Sequence, residues 1–139
     1  MYKRKARVLF VSRHCRARPV LAAALAGGVG ADWLEGRAAG IDPKPVPLEI
    51  GQLLAEKDES SPGRCLALAP ELLEWADLVV AFTEDDLKTI GPLPATTRSK
   101  VWDVEPDETN PDRLYARLKH RVECMVGGMR MLSRVDEDD

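Results

Sequence analysis

The sequence predicts an α/β protein in which helices cover both faces of a parallel sheet, a three-layer α/β/α sandwich. Two observations carry this expectation. Short apolar runs alternate along the chain with longer segments of helical periodicity, the pattern of strands joined by helical crossovers. Two of those runs, Val8-Leu9-Phe10-Val11 and Leu78 to Phe82, are apolar at every position, as strands buried on both faces must be. With 139 residues, 45% apolar and 31% charged, the chain suits one domain spanning residues 1–139.

The elements follow in order. After the first strand comes a polar loop, Ser12 to Arg18, and then an Ala- and Leu-rich helix from Val20 to Ala26. Pro19 suits a first helical turn, where its missing N–H costs nothing, and Gly27-Gly28 and Gly30 are expected to stop that helix. Trp33 to Ala39 reads as a second strand ending at Gly40-Ile41, and the three prolines between Asp42 and Pro47 impose a loop. Leu48 to Lys57 reads as a helix with Leu48, Leu53 and Leu54 inward, and Asp58 to Gly63 as a polar turn. Pro70 opens a short helix through Trp75. Beyond Phe82, Thr83 is placed to cap a helix, with Asp86 three residues on, and that helix ends near Ile90 at Gly91-Pro92. Lys100 to Val104 is the last of four strands. Asn110-Pro111 supplies a cap and a first-turn proline for a long helix to about Arg134. Leu114, Leu118, Val122, Met125, Met129 and Leu132 recur there at spacings of three and four, which makes one apolar face.

Charge and cysteine usage narrow the function. The formal net charge of −3 argues against nucleic-acid binding. The seven Lys and Arg between residues 3 and 18, and the closing Asp136-Glu137-Asp138-Asp139, read as solvated termini. No segment reaches membrane-span length, and the apolar run near the N-terminus is too short for a signal peptide. Cys15, Cys65 and Cys124 are an odd number without CxxC spacing. A disulfide framework is therefore not expected, and a reducing, cytoplasmic setting fits. Cys65 and Cys124 are read as packing residues and Cys15 as a space-filling thiol. Trp33, Trp75 and Trp102 are read as packing groups too. No metal-ligand spacing or cofactor motif is present, so neither a metal nor a cofactor is expected.

The chemistry concentrates in the loop. In an open parallel sheet, ligands sit beyond the carboxyl ends of the strands, where the loops after Val11, Phe82 and Val104 all lie. A basic loop running into a helix N-terminus offers unpaired N–H groups and the positive end of the helix dipole to an anion. Ser12, Arg13, His14, Cys15, Arg16, Ala17 and Arg18 are the candidate anion-binding residues, with Arg18 able to clamp an oxyanion through two donors.

These residues resemble the low-molecular-weight protein tyrosine phosphatases and the related thioredoxin-coupled arsenate reductases. That family begins with a strand, a Cys-x5-Arg-Ser loop and a helix. Here Val8 to Val11 precede the loop, Arg18 matches the family arginine, and Ala22 falls where the helix often carries alanine. Trp33 to Ile41, with Ala39-Gly40, is similar to the second strand and its Ser-Ala-Gly turn. The stretch EWADLVV, Glu74 to Val80, is similar to the Ala-Asp-Leu-Val segment, and Trp102 with Glu105-Pro106 resembles the loop that brings in the general acid. The resemblance runs along nearly the whole chain and implies a four-stranded parallel sheet.

It also implies catalytic positions, and the chain departs from them. Ser12 stands at the nucleophilic cysteine; a hydroxyl stays protonated at neutral pH and needs a base that a thiolate does not. Pro19 replaces the hydroxyl residue that follows the arginine. His14 and Cys15 replace Gly and Asn, which tolerate positive φ. Glu105 stands where an Asp acid is expected, with Asp107 and Asp103 as alternatives. The redox cysteines of the reductases correspond to Thr83 and Ile90. His14-Cys15 resembles the start of another phosphatase signature, but the residue six beyond Cys15 is Leu21 rather than Arg. The expectation is a degenerate member that binds phosphate or sulfate, or a phosphorylated partner protein, at Ser12–Arg18 without efficient catalysis. Its matched catalytic positions are Ser12, Arg18 and Glu105, and a monomer or weak homodimer is expected. The alternatives are an active phosphatase using Ser12 or Cys15, and an assembly protein that binds no anion.

Overall fold

The computed structural model describes residues 5–30, 32–57, 65–106 and 110–138, the last segment with side chains to Met129. Its elements are β1 (Ala6–Ser12), α1 (Arg18–Gly28), β2 (Leu34–Gly40), α2 (Leu48–Glu56), β3 (Leu66–Ala67), α3 (Pro70–Trp75), β4 (Leu78–Ala81), α4 (Glu84–Ile90), β5 (Arg98–Val101) and α5 (Pro111–Asp138). All five strands are parallel, in the order β3-β2-β1-β4-β5.

β1 is the central strand of this sheet, apolar on both faces, and Val8 to Val11 are wholly buried. Successive side chains of a strand point to opposite faces. Val8 and Phe10 therefore join the core formed with α1, α2 and α5, while Leu9 and Val11 join the smaller core under Leu72, Leu73 and Ile90 of α3 and α4. The chain winds outward from β1 through β2 to β3, then crosses to β4 on the other side. The carboxyl ends of β1 and β4 thus flank the point where the winding reverses, and a crevice opens there.

The sheet has five strands rather than four. The additional one, β3, is a two-residue edge strand on β2, too short to leave a period-two signal. β5 begins earlier than expected, at Arg98, because an exposed edge strand of Arg, Ser and Lys carries no apolar run. Trp102 and Val104 follow it as buried loop residues, and Trp102 packs on Phe10 and Phe82 with ring centroids 5.5 and 6.3 Å apart. Trp75 instead lies half-buried beneath Arg37, whose guanidinium sits 4.2 Å from the ring centroid.

Other boundaries shift for identifiable reasons. α1 continues through Gly27-Gly28, since a glycine costs a helix only about 1 kcal/mol against alanine and tertiary packing outweighs that. Leu48 is 73% exposed rather than inward; Ile50, Leu53 and Leu54 form the buried face of α2, and Leu48 is off that stripe. The caps fall as expected: Thr83 Oγ1 accepts from the Asp86 N–H at 3.0 Å, and Asn110 Oδ1 from the Arg113 N–H at 3.1 Å. α5 buries Leu114, Leu118, Val122 and Val126. The expected turn at Asp58–Gly63 lies outside the described residues, and so does the Leu132 side chain. Among the described residues, no helix is long and apolar enough to cross a membrane.

α1 lies close on β2 at Gly36, where an added Cβ would stand 2.8 Å from the Ala26 Cβ. Gly36→Ala should lower the unfolding free energy by about 1–3 kcal/mol in a denaturant titration. Gly51→Ala, at an open position on α2, should instead raise it by up to about 1 kcal/mol.

Candidate functional site

The loop between β1 and α1 closes around a cavity of about 200 Å³. All seven residues from Ser12 to Arg18 line it, joined by Asp86 of α4, Pro106 and Leu114. The cavity is smaller than the roughly 300–1,000 Å³ of most small-molecule sites and suits a compact ion or the end of a larger ligand. Ser12 and Asp86 are the two buried polar side chains among the described residues, and both face this space.

The loop is held from several sides. Ser12 Oγ accepts the Cys15 N–H at 2.9 Å, so the hydroxyl sits where a loop amide is directed. The carbonyls of Ser12, Arg13 and His14 accept from the N–H groups of Ile41, Asp42 and Lys44, which seams the loop to the segment after β2. Gly40 makes this approach possible: an added Cβ would lie 3.0 Å from the Cys15 Cβ and 3.2 Å from the Pro43 Cα. Cys15 itself has φ +51°, in the left-handed region that non-glycine residues seldom occupy. The positive φ tolerated by the residues that the resemblance places here is thus adopted by a cysteine.

Cys15 is bonded to Cys65, just before β3, with the Cα atoms 6.0 Å apart. This corrects the reading of both residues as unpaired packing thiols. The third cysteine, Cys124, is free and exposed rather than packed, with Sγ 3.6 Å from His120 Nε2. Fifty residues separate the bridged pair, so only the fold brings them together.

Arg18 opens α1 and points back across the cavity. Its Nη1 donates to the Val104 carbonyl at 3.0 Å, and its guanidinium carbon lies 5.2 Å from the Phe82 ring centroid. Burial pulls its pKa below the ordinary arginine range, and the Asp86 charge opposes that shift. The α1 N-terminus has no side-chain cap at Ala17, which leaves first-turn N–H groups for a ligand. Three arginines against one carboxylate give the lining a positive balance.

The remaining expected residues are placed as follows. Arg13, His14 and Arg16 are exposed on the rim. His14 Nδ1 donates to the Asp42 carbonyl at 3.0 Å, so the imidazole is engaged at the mouth. Glu105 is exposed and lines a neighbouring cleft with Asp103, Arg113, Arg117 and His120; the adjacent Pro106 borders the loop cavity. Asp107 lies outside the described residues. Asp86, which sequence reasoning took for a capping-box position, is a site residue: its backbone N–H meets the Thr83 cap while its residue lines the cavity.

The geometry defines a class: a doubly wound α/β protein with a small basic cavity at the switch between β1 and β4. Comparison with solved structures specifies the fold further. The thioredoxin-dependent arsenate reductase of Corynebacterium glutamicum superposes with a TM-score of 0.76 at 18% identity, over 91% of this chain and 63% of that one. An arsenate reductase of Archaeoglobus fulgidus matches at 0.70 and 28% identity, over 86% and 98% of the two chains. A cysteine-to-serine mutant of the arginine phosphatase YwlE, with a phosphorylated active-site serine, matches at 0.72 and 18%, over 89% and 95%. The chain has the fold of the low-molecular-weight tyrosine phosphatases and these arsenate reductases. No family model and no curated protein sequence matches it.

The bridge closes a long loop of chain, which restricts the unfolded state. Cys65→Ser should lower the unfolding free energy by about 2–4 kcal/mol in denaturant under non-reducing conditions.

Proposed function

We propose that this chain binds a tetrahedral oxyanion, phosphate or sulfate or the phosphoryl group of a phosphorylated protein, in the Ser12–Arg18 loop, and that it turns such a group over slowly or not at all. The observation that carries the reading is the convergence of Ser12, Arg18 and the uncapped start of α1 on one small cavity. Backbone N–H groups at a helix start and a guanidinium are the donors an oxyanion requires.

Weak turnover follows from Ser12. A thiolate in such a loop is charged at neutral pH, whereas a serine hydroxyl must lose its proton during attack. No hydrogen bond among the described residues joins His14 to Ser12: the imidazole meets the Asp42 carbonyl through Nδ1, and Ser12 Oγ meets the Cys15 N–H. The mutant YwlE structure lends support from another protein, since a serine at the active site of this fold carries a phosphoryl group there. In this chain, a phosphoryl group passed to Ser12 would form an ester that is slow to hydrolyse. Glu105 lines the neighbouring cleft rather than the loop cavity.

Two measurements test the reading. Phosphate at about a hundred times its Kd should stabilise the wild type by about 2.7 kcal/mol, and Arg18→Ala should abolish that gain. Incubation with an aryl phosphate should give no sustained release of phosphate. Steady turnover would favour an active phosphatase, and a flat response to phosphate would remove the anion site.

A further inference from the structure

We infer that the Cys15–Cys65 bridge is a thiol-exchange site, with Cys65 as the sulfur that small thiols attack, and that opening it weakens anion binding in the adjoining loop. The inference rests on the oxyanion reading above for its second half and stands on the geometry of the pair for its first.

The two sulfurs are unequally placed. Cys15 is wholly buried between the loop and Gly40, whereas Cys65 is only half-buried at the sheet edge ahead of β3. Attack on a disulfide depends on access to the sulfur and on the quality of the leaving thiolate. Access selects Cys65. The leaving sulfur is then Cys15, which lines the loop cavity with Arg13, Arg16 and Arg18.

A thiolate of a small thiol attacks Cys65 Sγ, the Cys15–Cys65 bond breaks, a mixed disulfide forms on Cys65, and Cys15 departs as thiolate. A second thiol attacks the small-thiol sulfur of the mixed disulfide, releases the oxidised small disulfide and leaves Cys65 reduced. Two thiols have then been oxidised to one disulfide, and the bridge has gained two electrons and two protons. The small disulfide reverses both steps.

Opening the bridge acts on the loop through Cys15. Its left-handed backbone conformation is one a cysteine adopts only when its surroundings enforce it. The bridge is the covalent part of that enforcement, and the Ser12 Oγ contact and the seam to Ile41–Lys44 are the rest. Once reduced, Cys15 can leave the left-handed region and turn its N–H away from Ser12. The donors that face the cavity then lose their common orientation.

The test uses the full chain equilibrated in mixtures of glutathione and glutathione disulfide, then quenched, alkylated and read by mass, with Cys124 as the always-reactive internal control. Phosphate affinity is measured by calorimetry on the bridged and the dithiothreitol-reduced protein. The expected results are a reversible bridge, one glutathione captured on Cys65 in Cys15→Ser, and phosphate binding about tenfold weaker after reduction. Cys65→Ser should show the weaker affinity with or without reductant; should it fail to fold, the wild-type comparison decides alone. Equal phosphate affinity in the two redox states, or a folded protein whose bridge resists glutathione at every ratio, overturns the inference. Absence of phosphate binding by the bridged protein would instead defeat the oxyanion reading itself.

Discussion

The structure depends on one tight turn. β1 is buried on both faces to its last residues, and α1 must begin six residues after Ser12 and pack back over the same sheet. The chain meets this requirement by placing Cys15 in the left-handed region, by letting Ser12 Oγ accept the Cys15 N–H, and by seaming the loop carbonyls to the segment after β2. Gly40 leaves the room that this closeness demands, and Cys65 ties the turn to the sheet edge. The cavity is the space this turn encloses, lined by all seven of its residues.

Much of the fold was legible from local chemistry. The all-apolar strands announced a parallel sheet, and Thr83 and Asn110 announced helix starts through capping rules that operate within a few residues. The features that escaped depend on distant neighbours. β3 exists because β2 offers it an edge, and Leu48 is exposed because the helix face is fixed by Ile50, Leu53 and Leu54. The Cys15–Cys65 bond joins positions fifty residues apart, and an odd cysteine count concealed it. Asp86 was visible as a cap position, but that its residue would border the cavity follows from α4 starting at the carboxyl end of the sheet.

The site is a balance of charge and desolvation. Arg18 is drawn inward by the Phe82 face and the Val104 carbonyl, and burial works against its charge while Asp86 supports it. A second anionic ligand must therefore share Arg18 with Asp86, and the rim arginines and the start of α1 supply the remaining attraction. That arrangement is suited to holding an oxyanion. It offers little to a serine that has to lose its proton in attack, because no hydrogen bond among the described residues joins the nearby imidazole to Ser12.

The most direct measurement is a crystal structure of the bridged protein grown in phosphate. The account predicts a tetrahedral anion in the cavity, within hydrogen-bond distance of loop N–H groups and of Arg18. A loop cavity without the anion in well-ordered crystals, with Arg18 still on Val104, would contradict it.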